Sequence, residues 1–411
     1  MRSEELFAMG LGLSAPWEVS EVKFERGEDG SSSLHIYIDF HRGSKFMNDA
    51  GQLVTAYDTE EKQWRHMNFF EHKCFLHCRV PRIRMKDGCV RMAEVPWARP
   101  GSGFTMLFEA FAMKLVESEM PVSSVSKRMR VSAPRIWRIF HHWVGKARNE
   151  IDLSAVSRIG VDETSSRKGH NYITNFVDLD TKRLIFASEG RGEETFGAFV
   201  CELERRGGRK ENISVVSMDM SPAFISGYFE HFSHASLVFD RFHIVKMLNK
   251  AMDDTRKAES KDKRLLKGHR FTLLRRMKNL PAKKRSELET LMLTYPQVGE
   301  AYKYKEGFLD VFTGSMAPKE ALDYIDKWCK AVMNTSLLFM KKFVTTIRAH
   351  WSGIISTFSH PGVNNGILEG MNLKIQLAKR RARGFANINN FIDMAYLTCG
   401  KLNLDYPHKT L

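Results

Sequence analysis

The sequence predicts a multidomain α+β protein, in which a mixed β-sheet flanked by helices is interrupted by a long all-α segment. Three observations lead to this prediction. Residues 155–245 alternate between short apolar segments of strand type and amphipathic helical segments. Residues 241–350 contain no strand pattern, so helices follow the sheet. Residues 1–100 consist of short strand and turn patterns, which indicate a small N-terminal β-rich domain.

The composition is that of a basic globular protein. Of the 411 residues, 43% are hydrophobic, which is enough to form a sizeable core. The 63 Lys and Arg residues exceed the 48 Asp and Glu residues, for a formal net charge of +15. Such a charge favours a polyanionic partner, with DNA, RNA and an acidic membrane surface as candidates. The alternative is a generally basic enzyme that has no nucleic-acid partner.

The cysteine pattern and the N-terminal residues predict a cytoplasmic protein. Six cysteines are scattered through the chain, which indicates a reducing compartment rather than a disulfide framework. The first residues, MRSEELFAMG, contain no apolar run of the kind found in signal peptides. No segment reaches the roughly 18 apolar residues of a membrane span, so we expect no membrane partner.

Residues 105–149 predict a helix-turn-helix segment. A short helix near residues 122–128 is followed by a turn at 131–133 and by a second, basic helix. In this motif the second helix enters the major groove of DNA. The residues of that helix that we expect to contact DNA are Arg135 and Arg138. The alternative is a plain helical hairpin whose basic residues form a solvated face.

The middle of the chain predicts a second, larger domain. After residue 155 the elements follow one another as three strands in a meander, a helix, a strand, a second helix and a last strand. This is the element order of a ribonuclease-H-like core, a mixed sheet flanked by helices. We assign that core to residues 155–245 and 360–405, with residues 246–355 as a basic helical insertion.

Much of the excess positive charge lies at the start of this insertion. Residues 246–285 contain 15 Lys or Arg and only four Asp or Glu. A basic stripe of this kind can neutralise DNA phosphates and release their counterions. The alternative is a solvated helical face.

Three acidic residues are candidates for a catalytic site. Asp162 ends the predicted first strand and Asp219 ends the strand after the first crossover helix, so in this topology the two face each other. Glu369 follows an Asn-Asn-Gly turn at 364–366 and begins a helix. Phosphodiester chemistry can use two Mg²⁺ ions held by carboxylate oxygens, without the Cys or His ligands that zinc favours. Taken singly, an acid at a strand end is more often a solvated turn residue.

Five long motifs stand in order along the chain: GVDETSSRKGHNYIT, SMDMSPAFISG, VFDRFHIVKMLNKAMDDTRK, HWSGIISTF and NNGILEGMNLKIQLAKRRARGF. Together they resemble the ISL-three (ISL3) family of bacterial insertion-sequence transposases. With an N-terminal segment, FFEHKCFLHCRVPRIRMKDG, the resemblance extends from about residue 55 to residue 405.

The resemblance implies a DDE transposase of ribonuclease-H-like fold, a Mg-dependent DNA endonuclease and polynucleotidyl transferase working at the bacterial nucleoid. Its catalytic and metal-binding triad would be Asp162, Asp219 and Glu369, holding two Mg²⁺ ions for which Mn²⁺ can substitute. Its partners would be double-stranded DNA, as terminal inverted repeats and target, and pairing two ends requires a homodimer or larger oligomer. Basic residues after Glu369 that we expect to hold the phosphate backbone are Lys374, Lys379, Arg380, Arg381 and Arg383.

Asp240 and His243 form an accessory pair three residues apart. They resemble the Cys/Asp-x-x-His element of related transposase superfamilies. We expect His243 either to contact the scissile phosphate or a flipped base, or to be a structural histidine at a helix start. Both interpretations stay open at this point.

The N-terminal region departs from the family pattern at its cysteines. The family usually carries a zinc-ribbon-like Cys/His cluster there. In this chain Cys74, His77, Cys78 and Cys89 make a poor tetrahedral set. We therefore expect residues 1–100 to be a degenerate zinc-ribbon-like domain without structural zinc.

Two alternatives to an active transposase remain at this stage. One is another two-metal DNA nuclease on the same fold, which cuts DNA without joining ends. The other is a catalytically inactive DNA-binding regulator derived from a transposase. The three acidic residues argue against the second alternative.

Overall fold

The computed structural model describes residues 2–28, 30–259, 266, 268–313, 316–360, 362–363 and 366–407. The chain forms two compact units, Met1–Ala147 with Asn403–Leu411, and Arg148–Leu402. No helix within the described ranges is both long and apolar enough to cross a bilayer. The first two residues of the predicted turn before Glu369, Asn364 and Asn365, lie outside the described residues.

The first unit contains a five-stranded mixed sheet and a separate two-stranded ribbon. A short helix, α1 (Ser3–Gly10), precedes them. The strands are β1 (Trp17–Arg26), β2 (Ser32–Phe40), β3 (Lys45–Met47), β4 (Leu53–Thr55), β5 (Asp58–Phe69), β6 (His72–Arg84) and β7 (Val90–Met92). The main sheet has the order β1-β2-β6-β5, with β7 also paired to β6, and β3 pairs with β4 in the ribbon. Alternate residues of its central strands, such as Leu34, Ile36 and Leu76, are fully buried in the core.

The alternation of β6 separates the candidate zinc ligands. Cys74 and Cys78 point into the apolar core, and burial raises the pKa of each thiol to about 12. His77 lies between them on the opposite face of the sheet, where its Nε2 is 2.8 Å from Nδ1 of His35. Cys89 is exposed beyond the end of β6. The two core thiols therefore behave as small apolar side chains.

Three helices complete the first unit: α2 (Met106–Glu117), α3 (Val122–Met129) and α4 (Ala133–Asn149). Arg130, with φ of 53°, makes the left-handed turn that separates α3 from α4. Helices α2 and α4 are joined by a buried carboxylate, because Glu109 accepts hydrogen bonds from Trp143 Nε1 at 2.8 Å and from Arg99 Nε at 2.9 Å. Helix, tight turn and basic helix thus follow one another in the predicted order.

The second unit contains a five-stranded mixed sheet. Its strands are β8 (Arg158–Arg167), β9 (Asn171–Asp178), β10 (Arg183–Glu189), β11 (Val215–Met218) and β12 (Ser236–Phe239), in the order β10-β9-β8-β11-β12. The first three strands form an antiparallel meander, whereas β11 is parallel to β8 and β12 is parallel to β11. The crossover helices are α5 (Glu194–Arg205) and α6 (Pro222–His231). All four residues of β11 are buried, as expected for a parallel strand covered on both faces.

The other regular elements among the described residues of the second unit are helices and short 3-10 turns. Among the described residues between β12 and Gly366 the helices are α7 (Arg241–Glu259), α8 (Arg270–Leu274), α9 (Ala282–Thr294), α10 (Pro296–Asp310), α11 (Pro318–Met333), α12 (Leu338–Ala349) and α13 (Trp351–Ser359). The last two helices are α14 (Gly366–Arg381) and α15 (Ile388–Cys399), and short 3-10 turns occupy Lys210–Asn212, Met277–Asn279 and Val311–Thr313.

Two of these helices return to the sheet. Helix α13 packs on β12 so closely that a Cβ at Gly353 would lie 2.5 Å from the ring of Phe239. Helix α14 packs on β8, where Leu368 covers Gly160. The long run of helices therefore leaves the sheet after β12 and comes back to both β12 and β8, which places α14 beside the predicted acids.

Candidate active site

The strand register brings three aspartates to one edge of the second sheet. Ser217 of β11 is paired with Gly160 of β8, so two residues further along each strand Asp219 comes level with Asp162. Met218 is paired with Phe239 of β12, which brings Asp240 level with Asp219. Because these strands are parallel, their carboxyl ends meet at the same edge.

The prediction that Asp162 ends its strand is wrong. Strand β8 continues to Arg167, and Asp162 is paired with Asn175 of the antiparallel strand β9. Only the parallel pairing of β8 with β11 stops before Asp162, at Gly160. The residues that follow, ETSSR, are polar, and they remain extended because β9 supplies their hydrogen-bond partners.

The electrostatics of Asp162 reflect its crowded surroundings. Burial raises the pKa of its carboxyl to about 6, and the negative charges of Asp219 and Asp240 add to the rise. The backbone N–H of Glu163, which donates to Asp162 Oδ1 at 2.8 Å, and the charge of His243 oppose it. Burial and the charge of Asp219 also raise the pKa of Glu163. A cation at this edge would relieve the repulsion between these carboxylates.

Asp240 and His243 form a hydrogen-bonded pair at the start of α7. His243 Nδ1 lies 2.9 Å from Asp240 Oδ2, and this bond raises the pKa of the imidazole against the opposing effect of burial. The charges of Asp240, Asp219 and Asp162 raise it further. The other oxygen of Asp240 accepts from the N–H of Phe242 at 3.0 Å, so this carboxylate also caps the helix. His243 is therefore both a helix-start residue and a member of the acidic cluster.

Helix α14 contacts β8 through one of its faces. Asn372 Nδ2 donates to Asp162 Oδ2 at 2.7 Å, and one turn later Gln376 Nε2 donates to the Ser165 carbonyl at 2.8 Å. The Lys379 ammonium donates to the same carbonyl at 2.6 Å. A Cβ at Gly160 would lie 2.6 Å from Leu368 Cδ1, so glycine is needed for this approach.

Glu369 lies on this helix but does not meet the two aspartates. Its side chain is exposed, and its carboxylate makes no hydrogen bond or ion pair with any residue that the structure describes. Within the described ranges, no three His, Cys, Asp or Glu side chains are arranged to hold a metal ion. The structure thus brings Asp162 together with Asp219, Asp240 and His243, and places Glu369 on the adjoining helix.

Sequence reasoning missed the amide network beside Asp162. The Thr164 hydroxyl donates to Asn372 Oδ1, and Asn175 Nδ2 donates to Thr164 Oγ1 at 2.8 Å and to Asn372 Oδ1 at 3.3 Å. The available signal was spacing, because Asn372 follows Glu369 by three residues and so lies one helical turn away.

The basic residues predicted to bind DNA differ in their surroundings. Arg138 and Arg135 are both exposed, but the Arg135 guanidinium also stacks over the Phe104 ring at 4.3 Å, and its partial burial lowers its pKa. On α14 and just after it the exposed basic residues are Lys374, Arg380, Arg381 and Arg383. Lys379 is half-buried and already bonded to β8, and burial lowers the pKa of its ammonium.

Known proteins are similar to this chain over most of its length. A transposase family model matches residues 159–395, and a model of the helix-turn-helix domain of transposase family ISL3 matches residues 93–144. The transposase for insertion sequence element IS1557 of Mycobacterium tuberculosis is 26% identical over 97% of this chain and 96% of its own length. The transposase for insertion sequence element IS1001 of Bordetella parapertussis is 23% identical over 90% of this chain and 92% of its own length.

The sheet with its acidic edge and the helix-turn-helix segment define an insertion-sequence transposase with a DDE domain. The chain belongs to the ISL3 family of transposases.

Proposed function

We propose that this protein binds the terminal inverted repeats of its insertion sequence, cuts the DNA there and joins the freed 3′ ends to target DNA. The proposal includes a ribonuclease-H-like fold for residues 155–245 and 360–405, with residues 246–355 as the insertion. The observation that carries it is that the strand register brings Asp162 level with Asp219 at one sheet edge, with α14 bonded to Asp162 through Asn372.

The predicted ligands have donor atoms of the type that divalent metal ions such as Mg²⁺ prefer. Asp162, Asp219 and Glu369 offer hard oxygen ligands of the type that Mg²⁺ prefers, with no thiolate among them. These three residues would hold two Mg²⁺ ions, or Mn²⁺ in their place. When bound, the ions would supply an activated water or 3′-hydroxyl and charge stabilisation at the leaving oxygen.

The chain's own groups have separate tasks in this proposal. Asn372 orients the Asp162 carboxylate, and Asp240 holds His243 through Nδ1, which leaves Nε2 without a hydrogen bond to any described residue and so able to bind a phosphate oxygen. Arg138 of α4 would contact DNA in the terminal repeats. The exposed cations after Glu369, Lys374 and Arg380 among them, would neutralise backbone phosphates. Two ends must be held at once, so the working complex contains at least two copies of the chain.

A strand-transfer assay with the element's own ends, target plasmid and Mg²⁺ tests the proposal. Joined products are expected. Cleavage without joining would instead support a nuclease on the same fold, and binding without either reaction would support a regulator. The Asp162→Asn chain is expected to lose cleavage and keep DNA binding, and comparable cutting by that variant would refute the site.

The third carboxylate is tested by a matched pair of variants. Glu369→Gln should abolish cleavage, because Glu369 would complete the ligand set from the adjoining helix. Glu163→Gln is the comparison, since Glu163 is half-buried and close enough to Asp219 to feel its charge. Loss of cleavage in Glu163→Gln but not in Glu369→Gln would move the third position to Glu163.

A further inference from the structure

An aromatic ring lies exposed beside the acidic edge. Phe242 is in the first turn of α7 and is 56% exposed. Its neighbours are anchored: Asp240 is buried, His243 is bonded to Asp240, and the Arg241 guanidinium lies 4.5 Å over the Phe312 ring. Since the N–H of Phe242 also bonds to Asp240, its backbone is fixed while its ring faces solvent.

The ring forms part of a groove of about 660 Å³ that begins at Asp219 and follows α7. Phe242, Lys246 and Lys250 recur every four residues, so they lie on one face of the helix, and all three are exposed and line the groove. Lys246 and Lys250 form no ion pair with any described residue.

The far end of the same groove is neutralised internally. Lys257 is paired with both Asp253 and Asp254, at 3.0 Å and 3.3 Å, and the Arg270 guanidinium lies 3.4 Å from Asp253. The two uncompensated cations therefore lie between this paired cluster and the catalytic edge. A groove that holds the exposed Phe242 ring and two ammonium groups without ion pairs to described residues suits a ligand that has a flat apolar face and negative charges a few ångströms away.

We propose that one nucleobase next to the cut phosphate leaves the duplex and stacks on the Phe242 ring. Lys246 and Lys250 then bind the phosphates of the adjoining backbone. This proposal rests on the function proposed above and adds a substrate-contacting residue to it. A base that leaves the duplex loses its stacking partners, and an aromatic side chain can replace them. This stacking does not depend on which base it is, because every base has a π-face.

Phe242 differs from other exposed aromatic residues in its position in the groove. Phe229 of α6 is 61% exposed. Its ring contacts the ring of the residue before it, much as the ring of Phe242 contacts the ring of the residue after it. Phe229 does not line the groove. Scattered exposed apolar residues are ordinary, so Phe229 is a matched control for Phe242.

Binding in the Asp162→Asn chain tests the proposal without cleavage. Two probes are compared by fluorescence anisotropy: a duplex of the element's end with one unpaired nucleotide at the cut position, and the same duplex with an unpaired abasic residue there. We expect the base to be preferred by roughly 5- to 150-fold, the range that one stacked base supplies. Phe242→Ala and Phe242→Leu, added to Asp162→Asn, should bring this ratio to about one, whereas Phe242→Trp and Phe229→Ala should keep it.

The proposal would be overturned if the chain that keeps Phe242 bound the unpaired-base and abasic probes with nearly equal affinity. It would also be overturned if both Phe242→Ala and Phe242→Leu left the preference for the base unchanged. A change of oligomeric state in Phe242→Ala with an unchanged ratio would overturn it too, because the ring would then be a contact between copies. The ratio is independent of the joining reaction of the unsubstituted chain. Failure of the stacking proposal is therefore distinguishable from failure of the proposed function.

Discussion

The side-chain amide of Asn372 donates a hydrogen bond to the carboxylate of Asp162 at 2.7 Å, joining α14 to the strand β8 across 210 residues of sequence. The carbonyl oxygen of the same amide accepts from Thr164 and Asn175, which fixes the amide so that its N–H group faces the carboxylate. The position of the helix that carries Glu369 is therefore coupled to the orientation of Asp162.

Removal of this amide should affect both stability and the pH dependence of cleavage. Asn372→Ala deletes a hydrogen bond to an ionised group, which contributes about 1.5–3 kcal/mol. Because that bond favours the charged carboxylate, its loss raises the pKa of Asp162, and the rising limb of the cleavage–pH profile in Mg²⁺ should move up by about one unit. Gln376→Ala is the control, since Gln376 bonds α14 to the Ser165 carbonyl instead. An equal shift of the profile in both variants would show that Asn372 acts only through helix packing.

The raised pKa of Asp162 makes this carboxylate costly to keep ionised in the metal-free protein. A folded pKa of about 6 exceeds the ordinary value of 3.8, so the folded state binds the proton more tightly than the unfolded state. The free energy of unfolding therefore falls as pH rises from about 4 to 6. In EDTA, Asp162→Asn should be more stable than the parent by about 1–3 kcal/mol at pH 7.5 and equal to it near pH 4. Urea unfolding at both pH values measures this difference, and a less stable variant at pH 7.5 would contradict it.

The pKa of His243 should depend on its partner. The hydrogen bond to Asp240 is the largest cause that raises this pKa, and burial opposes it. Asp240→Asn should therefore lower the pKa of His243 below that in the parent chain, as measured by NMR titration of the imidazole Hε1. The stability contributed by the pair is fully present below pH 6.5 and is lost as pH rises through the folded pKa. Asp254→Asn removes a more distant carboxylate of the same helix and should leave the titration unchanged.

The strand order and the aspartates were accessible from the sequence because they are local features. Apolar segments such as ISVVSMD and ASLVFD each end in an acid, and parallel strands bring such ends together. The end of β8 was placed too early because ETSSR is polar, and only pairing with β9 keeps it extended. Whether a segment forms a strand depends on the strands beside it, which a local sequence pattern does not show.

The missed part of the site depends on long-range packing. Asn372 looks like an ordinary polar residue on a basic helix, and only the approach of α14 to Gly160 gives it Asp162 as a partner. The same approach brings the Lys379 ammonium to the Ser165 carbonyl, a contact that the sequence does not reveal. Helical spacing shows which residues share a face, but not which strand that face meets.

The two candidate DNA contacts on α4 should respond differently to truncation. Arg138→Ala removes an exposed cation, so it should weaken binding to the element's end and make the slope of log K against log salt less negative by about 0.9, with little change in Tm. Arg135→Ala should also lower Tm, because it removes the stack on Phe104. Arg205→Ala is the control, since Arg205 is paired with Glu202. If Arg138→Ala keeps the parent's salt slope, Arg138 does not contact a phosphate.

The contact between Gly160 and Leu368 should make cleavage sensitive to a single added methyl group. In Gly160→Ala the new Cβ would lie 2.6 Å from Leu368 Cδ1 and 2.9 Å from Leu179 Cδ2, so α14 or both side chains must move. Overpacking of this kind costs about 1–3 kcal/mol, and displacement of the helix also moves Asn372 away from the Asp162 carboxylate and changes the position of Glu369. We expect cleavage to fall by tenfold or more at a temperature where the variant is still folded, because misplacement of about 1 Å at a catalytic group can cost roughly 100-fold.

A second substitution separates displacement from unfolding. Leu368→Val makes room for the added methyl, so the Gly160→Ala, Leu368→Val chain should recover part of the lost cleavage even though Leu368→Val alone is destabilising. Gly370→Ala, on the same helix with no atom within 4 Å of the added Cβ, should raise Tm slightly, as alanine does within a helix. If Gly160→Ala cleaves DNA at the parent rate, the position of α14 against β8 does not control the catalytic edge.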